Sequence, residues 1–219
     1  MPPLSNHSAI EWSDATWNPT TGCTKVSPAC ANCYIERTPP FRIAGRKFVR
    51  GHIPLVLHED RIFQPLHWTK PRRIFVNSLS DLFHADVPFH FIFSVYQTMA
   101  RTPQHVYQVL TKRPERMADV VGLIRSRLPE GLDHVWHGVS AENQRMLDQR
   151  VPWLLRTHSR VRFISAEPLL GPVDISAWLP VETIGGVELE RWLDWVIVGG
   201  ESGPRVPPMR AAYSPPAPL

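Results

Sequence analysis

The chain lacks several features that would assign it to a common class of protein. None of its apolar runs is long enough to span a bilayer, and its amino terminus lacks the cationic and apolar parts of a secretory signal. Glycine-rich dinucleotide and phosphate-binding motifs, the G-x-S-x-G motif and the histidine spacings of metalloproteases are also missing. We therefore expect no membrane span, Rossmann site, serine-hydrolase site or histidine-based protease site.

Cysteine is scarce, and its distribution is the most informative feature of the chain. The only three cysteines, Cys23, Cys30 and Cys33, fall within eleven positions. Three thiols on one short segment favour a soft metal or an iron–sulfur cluster, and an odd number argues against a closed disulfide set. Free thiols without an export signal favour the reducing cytoplasm.

The C-x6-C-x2-C spacing is compatible with three states of these thiols. They can hold three irons of a [4Fe–4S] cluster and leave the fourth iron open to a substrate or cofactor. They can instead form three-quarters of a zinc site that a histidine such as His52 or His84 completes. They can also be reduced and unliganded. We rank the cluster first, zinc second and free thiols third.

The overall charge does not select a partner. The 24 Lys and Arg residues against 20 Asp and Glu residues give a net charge of +4, and no polybasic run resembles a nucleic-acid-binding arm. This balance permits an anionic ligand or a nucleic acid and requires neither.

Six short runs of apolar, β-branched and aromatic residues have the length and composition of buried strands. They lie around residues 15–20, 73–78, 106–111, 134–140, 161–165 and 195–199. Three segments between them have helical apolar spacing, namely residues 89–100, 114–127 and 142–155, with Pro152 expected to break the third or to open a new turn. Residues 35–70 are less regular and are interpreted as an insertion. This order is typical of βαβ units in a parallel sheet, which forms either an open doubly wound sheet or a full or partial barrel. The missing glycine-rich dinucleotide motif disfavours the open sheet of the Rossmann type.

Polar residues follow the ends of these strands, where barrel enzymes place their active sites. We therefore predict an α/β fold, a partial (β/α) TIM-like barrel, as one domain over residues 1–204 with the cysteine loop at residues 22–34. Residues 205–219 form a proline-rich tail that we expect to be extended or disordered.

The strand-end residues are candidate ligands for a cofactor at the mouth of this barrel. For any one of them, capping of the next helix is the better explanation, but five such ends converging beside the cysteine loop favour a site. The pair Lys112–Arg113 could neutralise a carboxylate or phosphate, and Gly199–Gly200 could admit a ligand close to the backbone or form a plain turn. The candidates are Ser78, Asp81, Lys112, Glu142, Glu167, Gly199, Gly200 and Glu201.

Longer motifs carry a resemblance to a known family. They cover residues 10–23, 76–84, 109–115, 138–143, 164–172 and 196–204 together with the cysteine loop. These segments resemble an uncharacterised phage and bacterial family, a domain of unknown function named after the mycobacteriophage products gp thirty-seven and gp sixty-eight. Its three-cysteine loop and βα repeats in turn look like those of radical S-adenosylmethionine (radical SAM) enzymes, including spore photoproduct lyase-like proteins.

The resemblance implies a [4Fe–4S] cluster on Cys23, Cys30 and Cys33, with S-adenosylmethionine on the open iron as the source of a 5′-deoxyadenosyl radical. Acidic and hydroxyl residues at the strand ends would hold its amino group and ribose; these are Ser78, Asp81, Glu142, Glu167 and Glu201. Phage association and mild basicity favour nucleic acid or a modified nucleotide as substrate.

Two departures from the family pattern leave alternatives open. Radical enzymes usually carry C-x3-C-x2-C with an aromatic residue before the third cysteine, whereas here the first gap is six, Asn32 precedes Cys33 and Tyr34 follows it. After Pro204 the chain lacks the family's usual helix and aromatic-rich strand, which predicts a C-terminally truncated barrel. The alternatives are a non-catalytic zinc-binding module for nucleic acid or protein, and an inactive truncated fragment.

Overall fold

The computed structural model describes residue 8 and residues 10–128, 130–179 and 193–201. The predicted tail at residues 205–219 lies outside these ranges. Among the described residues the chain forms four α-helices, α1 (Pro39–Ile43), α2 (Phe89–Ala100), α3 (Pro114–Arg125) and α4 (Gln144–Arg156). It also forms eight strands, β1 (Ala15–Trp17), β2 (Thr20–Thr24), β3 (His52–Leu57), β4 (Arg73–Val76), β5 (Val106–Thr111), β6 (Val135–Ser140), β7 (Arg162–Ala166) and β8 (Trp195–Val198).

Six of the strands form one parallel sheet in the order β1-β4-β5-β6-β7-β8. Helices α2, α3 and α4 connect β4 to β5, β5 to β6 and β6 to β7. The predicted bounds of the last five strands agree with the observed ones to within two residues at each end. The prediction of an α/β fold built from βα units is confirmed.

The start of the domain differs from the prediction. The expected strand over residues 15–20 ends at Trp17, and after Pro19 the chain enters β2, which pairs antiparallel with β3 in a separate two-stranded sheet. Proline has no N–H to donate to a ladder, which fits the break between the two strands. Residues 35–70, interpreted as an irregular insertion, contain β3 and α1. Cys23 therefore lies on a strand, opposite Ile53.

Helix α4 runs through Pro152 instead of breaking there. The missing N–H of Pro152 leaves the carbonyl of Asp148 without its usual helical partner, but both residues are exposed, so water can satisfy that group. The helix begins at Gln144, two residues later than predicted, because the side chain of Asn143 caps it by accepting a hydrogen bond from Met146 N at 3.0 Å.

Trp12, just before β1, shows that the large sheet is strongly curved. Its ring centroid lies 4.6 Å from that of Phe75 on β4 and 6.1 Å from that of Trp195 on β8. In a flat sheet these strands, four positions apart, would be separated by roughly 19 Å. One side chain contacts both because the sheet curls into a partial barrel.

The main hydrophobic core lies between the sheet and its helices. Alternate strand residues such as Ile74, Val109 and Val139 are fully buried there, and Ile92 of α2 and Val121 of α3 join the same core. None of the helices in the described part of the chain has the length and apolarity needed to cross a membrane.

His137 of β6 places a titratable group in this core. Its ring nitrogens form hydrogen bonds with Tyr96 Oη at 2.8 Å and Ser159 Oγ at 3.0 Å, and burial lowers its pKa from 6.5 to about 3. In the unfolded chain the imidazole takes up a proton near pH 6.5, whereas in the folded chain it does so only near pH 3. Acid therefore favours the unfolded state.

We expect the free energy of unfolding to fall between about pH 7.5 and about pH 5, with His137 alone contributing about 2 kcal/mol of the loss. Urea unfolding at the two pH values measures this difference. Substitution His137→Asn should flatten the pH dependence, whereas His90→Gln, which changes an exposed histidine on α2, should leave it unchanged. An equal pH dependence in the His137→Asn variant would contradict this assignment.

Candidate functional site

The three cysteines lie on the β2 strand and the two turns that follow it. Cys23 is on β2, Cys30 ends a short 3-10 turn that begins at Pro28, and Cys33 precedes a second such turn. The bend closes because Cys30 N donates a hydrogen bond to Ser27 O at 2.9 Å. All three thiols are free and partly buried. The segment over residues 22–34 is called the cysteine segment below.

A small hydrophobic core of Ile35, Phe41 and Ile53 supports the cysteine segment from below. Cys23 and Cys33 both pack against this cluster, which is separate from the core between the sheet and the helices. The first and last thiols therefore rest on one rigid base.

Three side-chain contacts join the cysteine segment to the carboxyl ends of different barrel strands. Tyr34 Oη donates to the carbonyl of Ser78 after β4, Ala29 N donates to Glu142 Oε1 after β6 at 3.2 Å, and Asn32 Nδ2 donates to Glu201 Oε1 after β8 at 2.9 Å. The prediction placed the strand ends and the cysteines at one mouth, and these contacts bring them together.

Arg113, which follows β5, adds a fourth link. Its Nη1 lies 2.8 Å from Asp81 Oδ2 and 3.9 Å from Cys23 Sγ, and its Nη2 donates to Thr24 O at 2.9 Å. The ion pair is shielded, since the side chains of Arg113 and Asp81 are only 15% and 8% exposed. One guanidinium thus bridges the thiol-bearing strand and the edge of the large sheet.

The carboxylate of Asp81 is fully used by protein groups. Besides Arg113, it accepts hydrogen bonds from Thr111 Oγ1 at 2.8 Å, from Phe83 N at 3.0 Å and from Lys112 N at 3.1 Å. It joins the ends of β4 and β5. Asp81, a candidate cofactor ligand from the sequence, is therefore held by protein groups at the mouth.

Glu142 is also an anchor. It is fully buried, its Oε1 accepts from Ala29 N, and its Oε2 pairs with Arg150 Nη1 at 2.8 Å. Burial acts to raise the pKa of this carboxyl, but a hydrogen bond with Ser27 and the charge of Arg150 bring it below its ordinary value. The carboxylate is thus held ionised beneath the cysteine segment.

The thiols affect one another and the charges around them. Burial, and then the negative charges of Asp81 and Cys30, raise the pKa of Cys23 to about 11, against the opposing effect of Arg113. Burial and the charge of Cys30 also raise the pKa of Cys33, while Lys112 and Lys25 act to lower it. Without a metal, the raised pKa values keep Cys23 and Cys33 protonated at neutral pH, and a metal ion would have to displace their protons.

The two histidines considered as a fourth zinc ligand share Thr24. Thr24 Oγ1 lies 2.9 Å from His52 Nδ1 and 2.8 Å from His84 Nε2. The other ring nitrogen of His84, Nδ1, accepts from Asp86 N at 3.2 Å, and burial followed by the charge of Arg113 lowers the pKa of His84. Both nitrogens of His84 are therefore engaged in hydrogen bonds.

Of the remaining predicted residues, Ser78 is engaged by a neighbouring side chain and Lys112 is partly free. Ser78 Oγ forms hydrogen bonds with the side-chain amide of Asn18, so its hydroxyl is already used within the protein. Lys112 is partly exposed and its Nζ donates to Ser140 Oγ at 3.1 Å. Lys112 therefore presents a positive charge at the mouth, close enough to affect Cys33.

Glu167 and Gly199 are in direct contact at the ends of β7 and β8. A Cβ atom added to Gly199 would lie 2.1 Å from Glu167 Oε1, so a larger residue here would force the Glu167 side chain to move. The negative charge of Glu167 also reaches Tyr34 and contributes to raising its pKa, after burial and the charge of Cys33. Glu167 therefore lies close to the cysteine segment. Gly200, the next residue after Gly199, is exposed.

An open cavity of about 830 Å³ borders the cysteine segment between α3 and α4. Val26 of that segment lines it, together with Lys112, Arg116 and Arg145. Arg113 and Arg150 also line it, but Asp81 and Glu142 neutralise them. Its volume lies within the usual range for small-molecule sites.

The cysteine segment has the donor chemistry that a thiolate-bound metal group requires, but its side chains are not arranged in a coordination geometry. Three free thiols within range of one another's charge, held on a rigid base, provide a soft donor set. Within the described ranges, however, no three Cys, His, Asp or Glu side chains are arranged to hold a metal ion. The predicted metal centre is therefore not confirmed by the geometry.

Three residues that hold the site were not predicted from the sequence: Asn32, Tyr34 and Arg150. A signal existed for Arg150, because it interrupts the buried stripe of α4 formed by Met146, Leu147, Val151 and Leu154. A charge at such a position needs a buried partner. No comparable signal marks Asn32 or Tyr34, whose partners follow distant strands.

Comparison with known proteins places the chain in a family. The model of the family described as "Protein of unknown function (DUF5131)" matches residues 7–215. The chain belongs to this family. The match extends past Pro204, where the sequence resemblance was expected to end. No curated protein matches the chain.

Solved structures of spore photoproduct lyase, a radical SAM enzyme, share the fold. One mutant of that enzyme superposes with a TM-score of 0.52 at 15% identity, over 77% of this chain and 49% of that chain. A different mutant, with bound AdoMet and dinucleoside spore photoproduct, gives 0.50 at 15% identity, over 76% and 49%. This chain thus spans about half the length of those structures. Their partial TIM-like barrel confirms the predicted fold class.

Proposed function

We propose that this protein is a radical SAM-type enzyme in which Cys23, Cys30 and Cys33 hold a [4Fe–4S] cluster. The observation that carries the proposal is the attachment of one three-thiol segment to the carboxyl ends of β4, β6 and β8. Active sites of barrel folds lie at these ends. The soft donor set is therefore attached where a barrel enzyme does its chemistry, which supports the proposal.

Such a cluster, when bound, supplies one-electron reduction of S-adenosylmethionine. The protein's own residues would orient the cofactor and exclude water. Among the charged predicted site residues, Lys112, Glu167 and Glu201 form no ion pair in the described part of the chain. Glu201 accepts a hydrogen bond from Asn32, whereas Lys112 and Glu167 act electrostatically on residues of the cysteine segment. We propose that Lys112 meets the cofactor carboxylate and Glu167 its amino group, while Gly199 keeps space for Glu167.

Asp81, Glu142, Ser78 and Glu201 have a different role in this proposal. Each is bonded to another protein group, and together they hold the cysteine segment in place. They are positioning residues. The substrate that we propose is a nucleic acid or modified nucleotide, as the phage-type sequence resemblance and the dinucleoside in the similar structure support. A reducing cytoplasm would suit the free thiols.

The test is anaerobic reconstitution with iron and sulfide, followed by measurement of iron, sulfide and zinc per chain and of the absorption spectrum. We expect about four irons per chain in the wild type, the content of a [4Fe–4S] cluster. The Cys33→Ala variant should lose that iron. The Val26→Ala variant is the matched control, because Val26 is an exposed residue of the same segment and should load normally.

The second stage adds dithionite and S-adenosylmethionine and measures 5′-deoxyadenosine. Its release by the wild type and its loss in Cys33→Ala would support the enzyme. Stoichiometric zinc without iron or sulfide would overturn the proposal in favour of a zinc-binding interaction module. Equal iron in wild type and Cys33→Ala would show adventitious iron and would also overturn it.

A further inference from the structure

The connection between β2 and β3 concentrates positive charge beside the cysteine segment. Residues 37–51 contain five Arg and Lys residues and no Asp or Glu, although the whole chain has 24 cationic and 20 anionic residues. Arg42, Lys47 and Arg50 are exposed, and Arg46 is partly exposed. These four residues are called the basic surface below. In the described part of the chain, none of them pairs with a carboxylate.

The basic surface has a defined shape. Phe41 of α1 is buried in the small core, Arg46 N donates to Phe41 O at 2.9 Å, and Phe48 N donates to Glu36 Oε1 at 2.6 Å. Gly45 and Arg50 adopt positive φ angles of 64° and 50° at the turns. The cations are therefore presented by a folded scaffold instead of a flexible tail.

This scaffold is physically continuous with the thiols. Phe41 belongs to the small core of Ile35, Phe41 and Ile53 against which Cys23 and Cys33 pack. A polyanion lying on the basic surface is thus adjacent to the proposed reaction centre. This position favours the substrate of the proposed reaction, and not an unrelated partner, as the polyanion that binds the basic surface.

The chemistry of the surface matches a phosphodiester backbone. The two aromatic residues of the same segment, Phe41 and Phe48, are covered by cations. The Arg46 guanidinium carbon lies 4.7 Å from the Phe41 ring centroid, and Lys25 Nζ lies 4.7 Å from the Phe48 ring centroid. These rings are not presented as the aromatic anchors that membrane surfaces and protein hot spots use; the exposed apolar side chains of the segment, Ile43 and Val49, are aliphatic. Arg46 also donates hydrogen bonds to Thr21 Oγ1 at 3.3 Å and to Pro54 O. In the described part of the chain none of the four cations pairs with a carboxylate, which is the electrostatic pattern of nucleic-acid binding.

We propose that the basic surface of Arg42, Arg46, Lys47 and Arg50 binds the phosphate backbone of a nucleic-acid substrate and delivers it to the cysteine segment. The proposal rests on the proposed function for the identity of the reaction centre, but the binding itself needs no cluster. The sequence alone did not indicate the basic surface, because its cations are spaced along residues 42–50 without a continuous basic run.

The experiment uses fluorescence anisotropy of a labelled single-stranded oligonucleotide with the full-length, cluster-free protein across a KCl series. The test variant combines Arg42→Gln, Lys47→Gln and Arg50→Gln. The control combines Lys70→Gln, Arg101→Gln and Arg160→Gln, which removes the same charge from residues near the amino ends of the strands. Circular dichroism and thermal unfolding establish that both variants remain folded.

The logarithm of the association constant falls as log[KCl] rises, and we expect the test variant to reduce the magnitude of this negative slope by about 2. Binding should weaken roughly tenfold or more at about 0.1 M KCl. The control should keep most of the wild-type affinity. Equal weakening in both variants, or none in either, would overturn the proposal. So would tighter binding to anionic phospholipid vesicles than to oligonucleotides, which would assign the surface to a membrane.

Iron loading separates this inference from the proposed function. The test variant should reconstitute the same iron content as the wild type, because none of its three substitutions touches a thiol or an anchor. Normal iron with unchanged nucleic-acid binding would overturn only the basic surface. Failure of the wild type to load iron, with the expected loss of binding in the variant, would overturn only the cluster.

Discussion

Substitution Glu142→Ala should lower the free energy of unfolding by about 3–5 kcal/mol, the usual cost of removing one partner from a buried ion pair. The carboxylate is fully buried and the Arg150 side chain is only 6% exposed, so the variant leaves a guanidinium that water reaches poorly. Ala29 N also loses its acceptor. A typical domain has about 5–15 kcal/mol of stability, so this is a large fraction of the total.

Urea unfolding measures the effect, and an exposed ion pair provides the matched control. Asp14 and Arg73 pair at 3.1 Å with side chains that are 46% and 51% exposed, so Asp14→Ala should cost at most about 1 kcal/mol. The double variant Glu142→Leu/Arg150→Met should regain much of the loss, because an apolar pair leaves no buried charge. A similar small cost for Glu142→Ala and Asp14→Ala would show that Glu142 is not an anchor.

The same variant tests the link between stability and the site. Ala29 lies between Ser27 and Cys30, so loss of its hydrogen bond frees the middle of the cysteine segment. We expect reduced iron loading of Glu142→Ala even in the fraction that remains folded at low temperature. Full loading by folded Glu142→Ala would confine Glu142 to a role in stability.

The sequence predicted the large sheet well because parallel strands buried on both faces give a strong local signal. The run Val106–Thr111 is apolar, short and bounded by polar residues, and β5 occupies the same residues. The helices between the strands have apolar stripes at a spacing of three and four residues. Such patterns depend only on neighbours in the chain, so they can be read without knowing the fold.

The region from Thr20 to Leu57 was harder because its structure depends on distant pairing. Nothing local marks His52–Leu57 as the antiparallel partner of Thr20–Thr24, and Pro54 within it argues against a strand. The structure accommodates Pro54 in this two-stranded sheet, outside the large sheet. The break at Pro19 and the return at β3 required a contact over about 30 residues, which periodicity does not report.

The sequence indicated where candidate site residues would lie, but it could not assign a role to each of them. The barrel rule brought Asp81, Glu142 and Glu201 to the mouth, but it does not distinguish a cofactor ligand from a residue that holds a loop. That distinction depends on whether each carboxylate oxygen already has a partner. Arg113 and Arg150 supply two of those partners, and their pairing follows only from the folded coordinates.

Substitution Arg113→Gln should weaken metal loading about 10- to 100-fold, the usual effect of losing a group that orients a metal ligand. Arg113 contacts Asp81, Thr24 and Cys23, so its removal breaks the side-chain contacts between β2 and the end of β5. It also removes the positive charge that opposes the raised pKa of Cys23, so the thiol should become harder to deprotonate. Both consequences act against a bound thiolate.

Reconstitution at limiting iron, with iron per chain measured after desalting, reports the affinity, and alkylation of metal-free protein reports the thiol. At about pH 8.5, Cys23 should react with iodoacetamide more slowly in Arg113→Gln than in wild type if the thiolate fraction controls the rate. Arg113→Lys keeps the charge and loses the two-sided contact, so it should restore part of the thiol reactivity but less of the metal affinity. Arg145→Gln, an exposed arginine lining the neighbouring cavity, is the control that should change neither. Normal iron affinity in Arg113→Gln would show that the small core and the strand-end anchors alone hold Cys23 in place.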